Sequence, residues 1–502
     1  MLLLREFRCK VVRRKIILKN SFYSVINYTL LIILSFIVRK VLIEQFPIEY
    51  AGYEALFTDV FTLLSIADFG MDGIITYKLY GALAADRNEI PRIMDLAKRM
   101  YSFVAVIVLG IGCLLFALIP FIFNAEIYDM PLIKIIYIIQ IINLSISYFT
   151  GYKRLMLIAD QKEYICLRWD SLILILIQIS RIFVLGYLRN YYIYIVLCIV
   201  QTLGQNIGVN IRYNKEYERR NEVEKNHRIS FLNIKQDIKN LLCHKVSAVV
   251  YAATDNIIIT ANLGLAITGL YSNYYMVAKY TYSFATKIMK PMQATIGNYL
   301  YSDIDRQEKY VMLSKLNNMT FAFASFVCNS LIQLSTPFIE VWLGDEYIQK
   351  KSLVILLAIN YFIAINQDVI YYFRNSYGNY EYDKIYMVLS AVSNLSLSII
   401  LSRMWGLNGI VIATIIGHIF IWYGRVKYVY KKIFKAGWID YWLGQFKTVS
   451  LLILQILLCE FLIKDNWVGI KGCILREGCV IAVWGITVAL FYYIGNRTKV
   501  EK

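Results

Sequence analysis

Charge is what this sequence has least of for its size. Only 18% of its 502 residues are Asp, Glu, Lys or Arg, and 58% are hydrophobic. Mean hydropathy is +0.52, too apolar for a water-soluble protein of this length. The longest polar stretch, Arg212 to Asn240, is too short for a water-exposed domain. No GxxxxGK[ST] run is present, so nothing is built to cradle nucleotide phosphates. The 9 cysteines are scattered without a CxxC pair or a histidine at metal-ligand spacing, and read as small packing residues. The 3 histidines, His227, His244 and His418, are dispersed. No nucleophile and base stand together as an acyltransferase or polymerase would need. These absences point away from an enzyme and from a resident metal or cofactor.

What the sequence does have is long apolar runs, recurring from end to end. Set against a hydrocarbon thickness of about 30 Å, they give fourteen expected spans. These lie near residues 20–38, 50–80, 100–123, 132–150, 167–188, 191–211, 241–261, 268–300, 316–340, 352–373, 385–402, 408–426, 446–463 and 472–495. The expected class is an all-α polytopic membrane protein. Its domains are a basic arm (1–19), a six-helix bundle (20–211), a linker (212–240), a second six-helix bundle (241–430), and a terminal helix pair with its tail (431–502).

The formal charge of +18 invites a nucleic-acid reading, but the basic residues lie in short segments between spans. With residues at span ends assigned to the adjoining loop, alternate segments hold 38 and 10 Lys/Arg, and five remain within spans. That asymmetry predicts cytosolic N- and C-termini and no nucleic-acid partner. Seven Lys/Arg precede Ser21 and no A-x-A site follows, so the first span is expected to be retained behind a cytosolic arm. Phe231, Leu232, Ile234, Ile238, Leu241 and Leu242 trace an apolar face that predicts an interfacial helix in the linker.

The two halves repeat each other. Ala51-Gly52-Tyr53 answers Thr268-Gly269-Leu270, and Ile119-Pro120-Phe121-Ile122 answers Thr336-Pro337-Phe338-Ile339, both at an offset of 217. Asp86-Arg87-Asn88-Glu89 answers Asp305-Arg306-Gln307-Glu308, and Ala159-Asp160 answers Gly378-Asn379, both at 219. A duplicated even-numbered helix set predicts two parallel, pseudo-symmetric bundles with a cavity at the repeat interface.

Together with this six-plus-six repeat and added helix pair, Leu64-Ser65-Ile66-Ala67-Asp68-Phe69-Gly70 on a long second span and the Leu79-Tyr80…Asp86-Arg87 exit carry a family resemblance. The chain resembles the polysaccharide-exporter (Wzx-like flippase) branch of the multidrug/oligosaccharidyl-lipid/polysaccharide (MOP, MATE-like) superfamily. The resemblance implies a flippase of the bacterial cytoplasmic membrane. It would move polyprenyl-diphosphate-linked oligosaccharide between leaflets by alternating access, for O-antigen, capsule or similar assembly. It would act as a monomer beside polysaccharide-assembly enzymes. The alternatives on the same fold are a MATE-like drug or cation exporter and a lipid-II-type flippase. The former generally carries an Asp in the first span and the latter a basic residue there, and residues 20–38 hold neither.

Intramembrane charges are the candidate site residues, because a Lys or Arg at the bilayer centre costs about 2.5–3.5 kcal/mol unless it faces a cavity or partner. Lys279, Lys287 and Lys290 fall within about 80° on one helix face. With Lys78 and Arg181 they are candidates for a diphosphate site, Lys meeting phosphate as a compact point charge. The repeat-related second span instead carries Asp59, Asp68 and Asp72, candidate cavity acids or gate partners of Lys287 and Lys290. Lys78 and Arg181 snorkelling to the surfaces is the plain alternative. Pro291 predicts a bend and a candidate hinge in the eighth span.

Asp255 on the seventh span, Asn394 on the eleventh and Thr414 on the twelfth are hard oxygen donors suited to a small alkali cation. They are similar to the sodium site of the lipid-II-flippase branch, in which a second acid follows one turn after the Asn. Here that position is Ser398. The set is a candidate for Na+ or H+ coupling, or for a hydrogen-bonded brace between three helices; Asp368 is a second candidate for protonation. Of the 41 tyrosines, most are expected in the interfacial belts, with groups such as Tyr271-Tyr274-Tyr275 and Tyr371-Tyr372 able to stack on sugars from a cavity wall.

Overall fold

A bilayer leaves no water to satisfy backbone groups, so an apolar chain that crosses it repeatedly forms helices. The computed structural model describes residues 2–122, 129–217, 235–377 and 383–500. Among them all regular structure is helical. Twelve helices are long and apolar enough to cross a membrane, and a bent pair makes a thirteenth. The eighth expected span is a helix of 25 residues, about 37 Å long. It misses the same hydropathy only because tyrosines, lysines and small polar residues fill it.

The chain divides into two units, Met1–Val249 and Val250–Lys502. Unit 1 contains α1 (Leu2–Gln45), α2 (Glu49–Leu64), α3 (Met71–Ala84), α4 (Ile90–Ile122), α5 (Met130–Gly151), α6 (Arg154–Ala159), α7 (Glu163–Phe183) and α8 (Tyr191–Tyr217). The expected arm is not a separate element, since α1 runs unbroken from Leu2 through the first span. The boundary falls within α9 (Lys235–Ala252), in the seventh span.

Unit 2 continues with α10 (Asp255–Leu263), α11 (Leu265–Met289), α12 (Met292–Leu300), α13 (Arg306–Leu343), α14 (Lys351–Asn366), α15 (Asp368–Tyr377), α16 (Lys384–Trp405), α17 (Leu407–Tyr428), α18 (Trp438–Leu462) and α19 (Gly469–Val500). The terminal pair belongs to this unit. Trp484 Nε1 donates to the Ala322 carbonyl at 2.7 Å, and Ser330 donates to Glu477 at 3.1 Å. Residues 218–234 of the linker, with His227 and the Phe231, Leu232 and Ile234 part of the expected interfacial helix, lie outside the described residues, as does the Gly378-Asn379 landmark.

The repeat is visible in where helices break. The second span bends by 46° between α2 and α3, where Phe69 (φ 49°) and Gly70 (φ 73°) take left-handed conformations in succession. Asp68 Oδ1 accepts the Gly70 N–H at 2.8 Å and fixes that turn; glycine adopts it without the Cβ clash other residues meet. The eighth span breaks at Lys290–Pro291 between α11 and α12, as Pro291 predicts, for want of an amide N–H. At the ends of the fifth and eleventh spans, Arg189 (φ 49°, ψ 41°) and Gly406 (φ 58°, ψ −135°) both take positive φ at an offset of 217, with different ψ.

Candidate functional site: a tyrosine-lined cavity in unit 2

The seventh span is interrupted at Ala253–Thr254, so that Asp255 begins a fresh helix, α10. An acid in a first turn suits the partial positive charge there. Thr414 Oγ1 donates to Asp255 Oδ2 at 3.2 Å, and Asn394 Nδ2 donates to Thr414 Oγ1 at 3.0 Å. Thr254 Oγ1 in turn donates to Asn394 Oδ1 at 3.4 Å. The three residues read from sequence are therefore one hydrogen-bonded chain across α10, α16 and α17. Ser398, one turn beyond Asn394, is fully buried, and its hydroxyl has no hydrogen-bond partner among the described residues. The donor set fits a small hard cation by chemistry. Taking one would require the Asn394 amide to present its oxygen.

Beside this chain lies a cavity of about 210 Å³. One wall is α11, whose Tyr271, Tyr275, Lys279 and Tyr282 follow one another at helical spacing on one face. Opposite are Tyr251 from α9, Tyr361 from α14 and His418 from α17, with Asp255 and Thr414 in the same lining. Tyr271 and Tyr275 stack at 5.8 Å between centroids, and Tyr282 and Tyr361 meet at 5.2 Å. Lys279 Nζ sits 5.4 Å from the Tyr275 ring centroid, a cation–π distance. His418 Nδ1 and Asn360 Oδ1 are 2.7 Å apart, while the Tyr251 hydroxyl donates to the Thr414 carbonyl at 2.9 Å. That approach depends on Gly417, since a Cβ there would come within 2.7 Å of the Tyr251 ring.

The lysines of α11 separate. Lys279 lines the cavity, whereas half-buried Lys287 and exposed Lys290 lie toward the Pro291 break, about 12 Å or more farther along the axis. In unit 1, Arg181 does not snorkel away. It lines a pocket of about 60 Å³ with Glu54, Gln140 and Tyr194. Its guanidinium lies 5.6 Å from the Tyr194 ring centroid, and Tyr194 donates its hydroxyl to Glu54. Glu54 also pairs with Arg39 at 3.4 Å.

The acids of the second span have partners of their own within unit 1. Asp68 takes Lys245 of α9 at 3.2 Å and the Tyr148 hydroxyl at 3.3 Å, and Asp72 accepts from Tyr101. Asp59 is buried in α2, and Lys78 is half-buried on α3.

No protein-family model and no curated protein sequence matches this chain, but solved structures do. The lipid II flippase MurJ in an inward closed conformation aligns with a TM-score of 0.66 at 16% identity, covering 94% of this chain and 98% of MurJ. An inward-facing multidrug-resistance MATE family transporter of the MOP superfamily aligns at 0.63 and 12%, covering 80% of this chain and 94% of its own. A Vibrio cholerae MATE transporter aligns at 0.58 and 11%, covering 84% and 98%. The fold is MurJ- and MATE-like.

Sequence reasoning missed a buried charge cluster in unit 2. Arg374 donates to Asp383, Arg425 lies 3.7 Å from the same carboxylate, and Arg425 also donates to Gln367 at 3.2 Å. Nearby in the chain, Asp368 is only 7% exposed, and its Oδ2 has no hydrogen-bond partner among the described residues. Tyr371 faces Arg425, 4.7 Å from its ring centroid, rather than lining the cavity. The aromatic wall did have a signal in sequence, in the i, i+4, i+11 spacing of Tyr271, Tyr275 and Tyr282.

Proposed function

We propose that the protein is a flippase that carries a polyprenyl-diphosphate-linked oligosaccharide across the bacterial cytoplasmic membrane, by alternating access, with both termini cytosolic. The observation that carries this reading is the MurJ-like fold, matched over 94% of the chain. The first span argues for a polysaccharide substrate over lipid II or a drug cation, because residues 20–38 contain no acid or base. The glycan reaches the protein from the enzymes that assemble it and passes to those that polymerise or attach it. Lys287 and Lys290, toward the Pro291 break of the eighth span, offer the diphosphate compact point charges.

The drive is a monovalent cation at Asp255, Asn394 and Thr414, with Ser398 in place of a second acid. In proteoliposomes loaded with a fluorescent polyprenyl-diphosphate glycan, the purified protein is expected to expose the glycan to an external reductant at a rate raised by a sodium or proton gradient. Exposure no faster than in protein-free vesicles would overturn the reading. Asp255→Asn is expected to abolish the gradient response; wild-type activity of that variant, with flux indifferent to both ions, removes the coupling.

A further inference from the structure

Aromatic faces and polar groups converge in the unit-2 cavity, and that mixture is selective. We propose that the cavity is a recognition pocket for a single pyranose ring of the transported glycan, an inference that rests on the flippase reading and specifies its substrate. A pyranose presents apolar C–H faces and a rim of hydroxyls. The faces pack on aromatic rings, and the rim needs convergent donors and acceptors. Tyr275 and Tyr282 each stand in a ring pair, at 5.8 Å with Tyr271 and at 5.2 Å with Tyr361. The Asn360 and His418 pair and Thr414 supply the polar groups.

Size separates this ligand from the others the fold suggests. The cavity's 210 Å³ falls below the roughly 300 Å³ at which drug-sized pockets begin, a size suited to one ring with the remainder of a longer glycan outside it. Lys279 adds a positive charge beside Tyr275, which favours a ring bearing a carboxylate.

The repeat supports a dedicated role. At an offset of 217, the positions matching Tyr271, Tyr275, Lys279 and Tyr282 are Glu54, Thr58, Thr62 and Ser65, so the aromatic wall belongs to unit 2 alone. Asp255 and Thr414 share the cavity lining. A cation on those oxygens and a sugar on the tyrosines therefore bias one another's affinity by the same factor in both directions.

The test compares two lipids in proteoliposomes, a polyprenyl diphosphate carrying a short glycan that ends in glucuronate and the same lipid without sugar. Tyr275→Leu is expected to lower the preference for the glycosylated lipid at least fivefold, Lys279→Gln about threefold, and Tyr275→Phe less than twofold. A preference unchanged by Tyr275→Leu and Lys279→Gln overturns the pocket and leaves the flippase reading standing. A wild-type protein that moves neither lipid overturns that reading instead. Saturation-transfer NMR of the wild-type protein in nanodiscs with free glucuronate, N-acetylglucosamine and glucose decides the pocket independently of flux. Ring-proton transfer strongest for glucuronate and lost in Tyr275→Leu is expected, and transfer to none of the three overturns it.

Discussion

The two halves place a polar recess at equivalent points and fill it differently. In unit 1, Glu54 and Tyr194 border a pocket of about 60 Å³; in unit 2, Tyr271 and Val411 stand at the same offset of 217 and border one of about 210 Å³. Unit 1 is plugged by the Arg39, Glu54 and Arg181 group. In unit 2 the positions matching Arg39, Glu54 and Arg181 at that offset are Asn256, Tyr271 and Ser398, none of them charged, and the recess beside them is wider. A duplicated scaffold can thus keep one copy of a recess as structural filler and the other as a binding space, depending on where its charges lie.

Substitutions that unplug or obstruct each half test this contrast. The largest effect is expected from Asp383→Ala. It strands Arg374 and Arg425 where the paired side chains are 5% and 1% exposed, and removing one partner of a buried pair costs about 3–5 kcal/mol. Glu54→Ala makes the same change in unit 1, but the side chains of Arg39 and Glu54 are 13% and 25% exposed. The stranded charge is less deeply enclosed by protein, and the cost falls to about 1–2 kcal/mol. Thermal unfolding in detergent should rank the two in that order; equal losses would mean that the plug of unit 1 is as dry as the cluster of unit 2. The smallest effect on stability is expected from Gly417→Ala. Its new methyl group comes within 2.7 Å of the Tyr251 ring, which lines the cavity, at a cost of about 1 kcal/mol, while flux of the lipid-linked glycan is expected to fall severalfold. Full flux in that variant would show that the open recess has no part in transport.

What the sequence revealed and what it hid divide along a physical line. Span positions, the break at Pro291 and the grouping of Asp255, Asn394 and Thr414 depend on apolar length, on one residue's missing amide, and on a resemblance that names helices. The pairs Asp68–Lys245, Glu54–Arg39 and Asp383–Arg425 were not legible. Each requires the relative rotation and depth of helices far apart in the chain, which spacing along a single helix does not encode. The break at Phe69–Gly70 lies between these cases. The glycine marks it, but the left-handed phenylalanine before it gives no sign in sequence.

The joints in the second and eighth spans carry a consequence for engineering. One is a pair of left-handed residues clipped by an aspartate, and the other is a proline with no amide to give. A proline scan that stiffens or frees the first will not predict the behaviour of the second, so each half of this chain has to be tuned by its own chemistry even where the sequence repeat aligns the two spans.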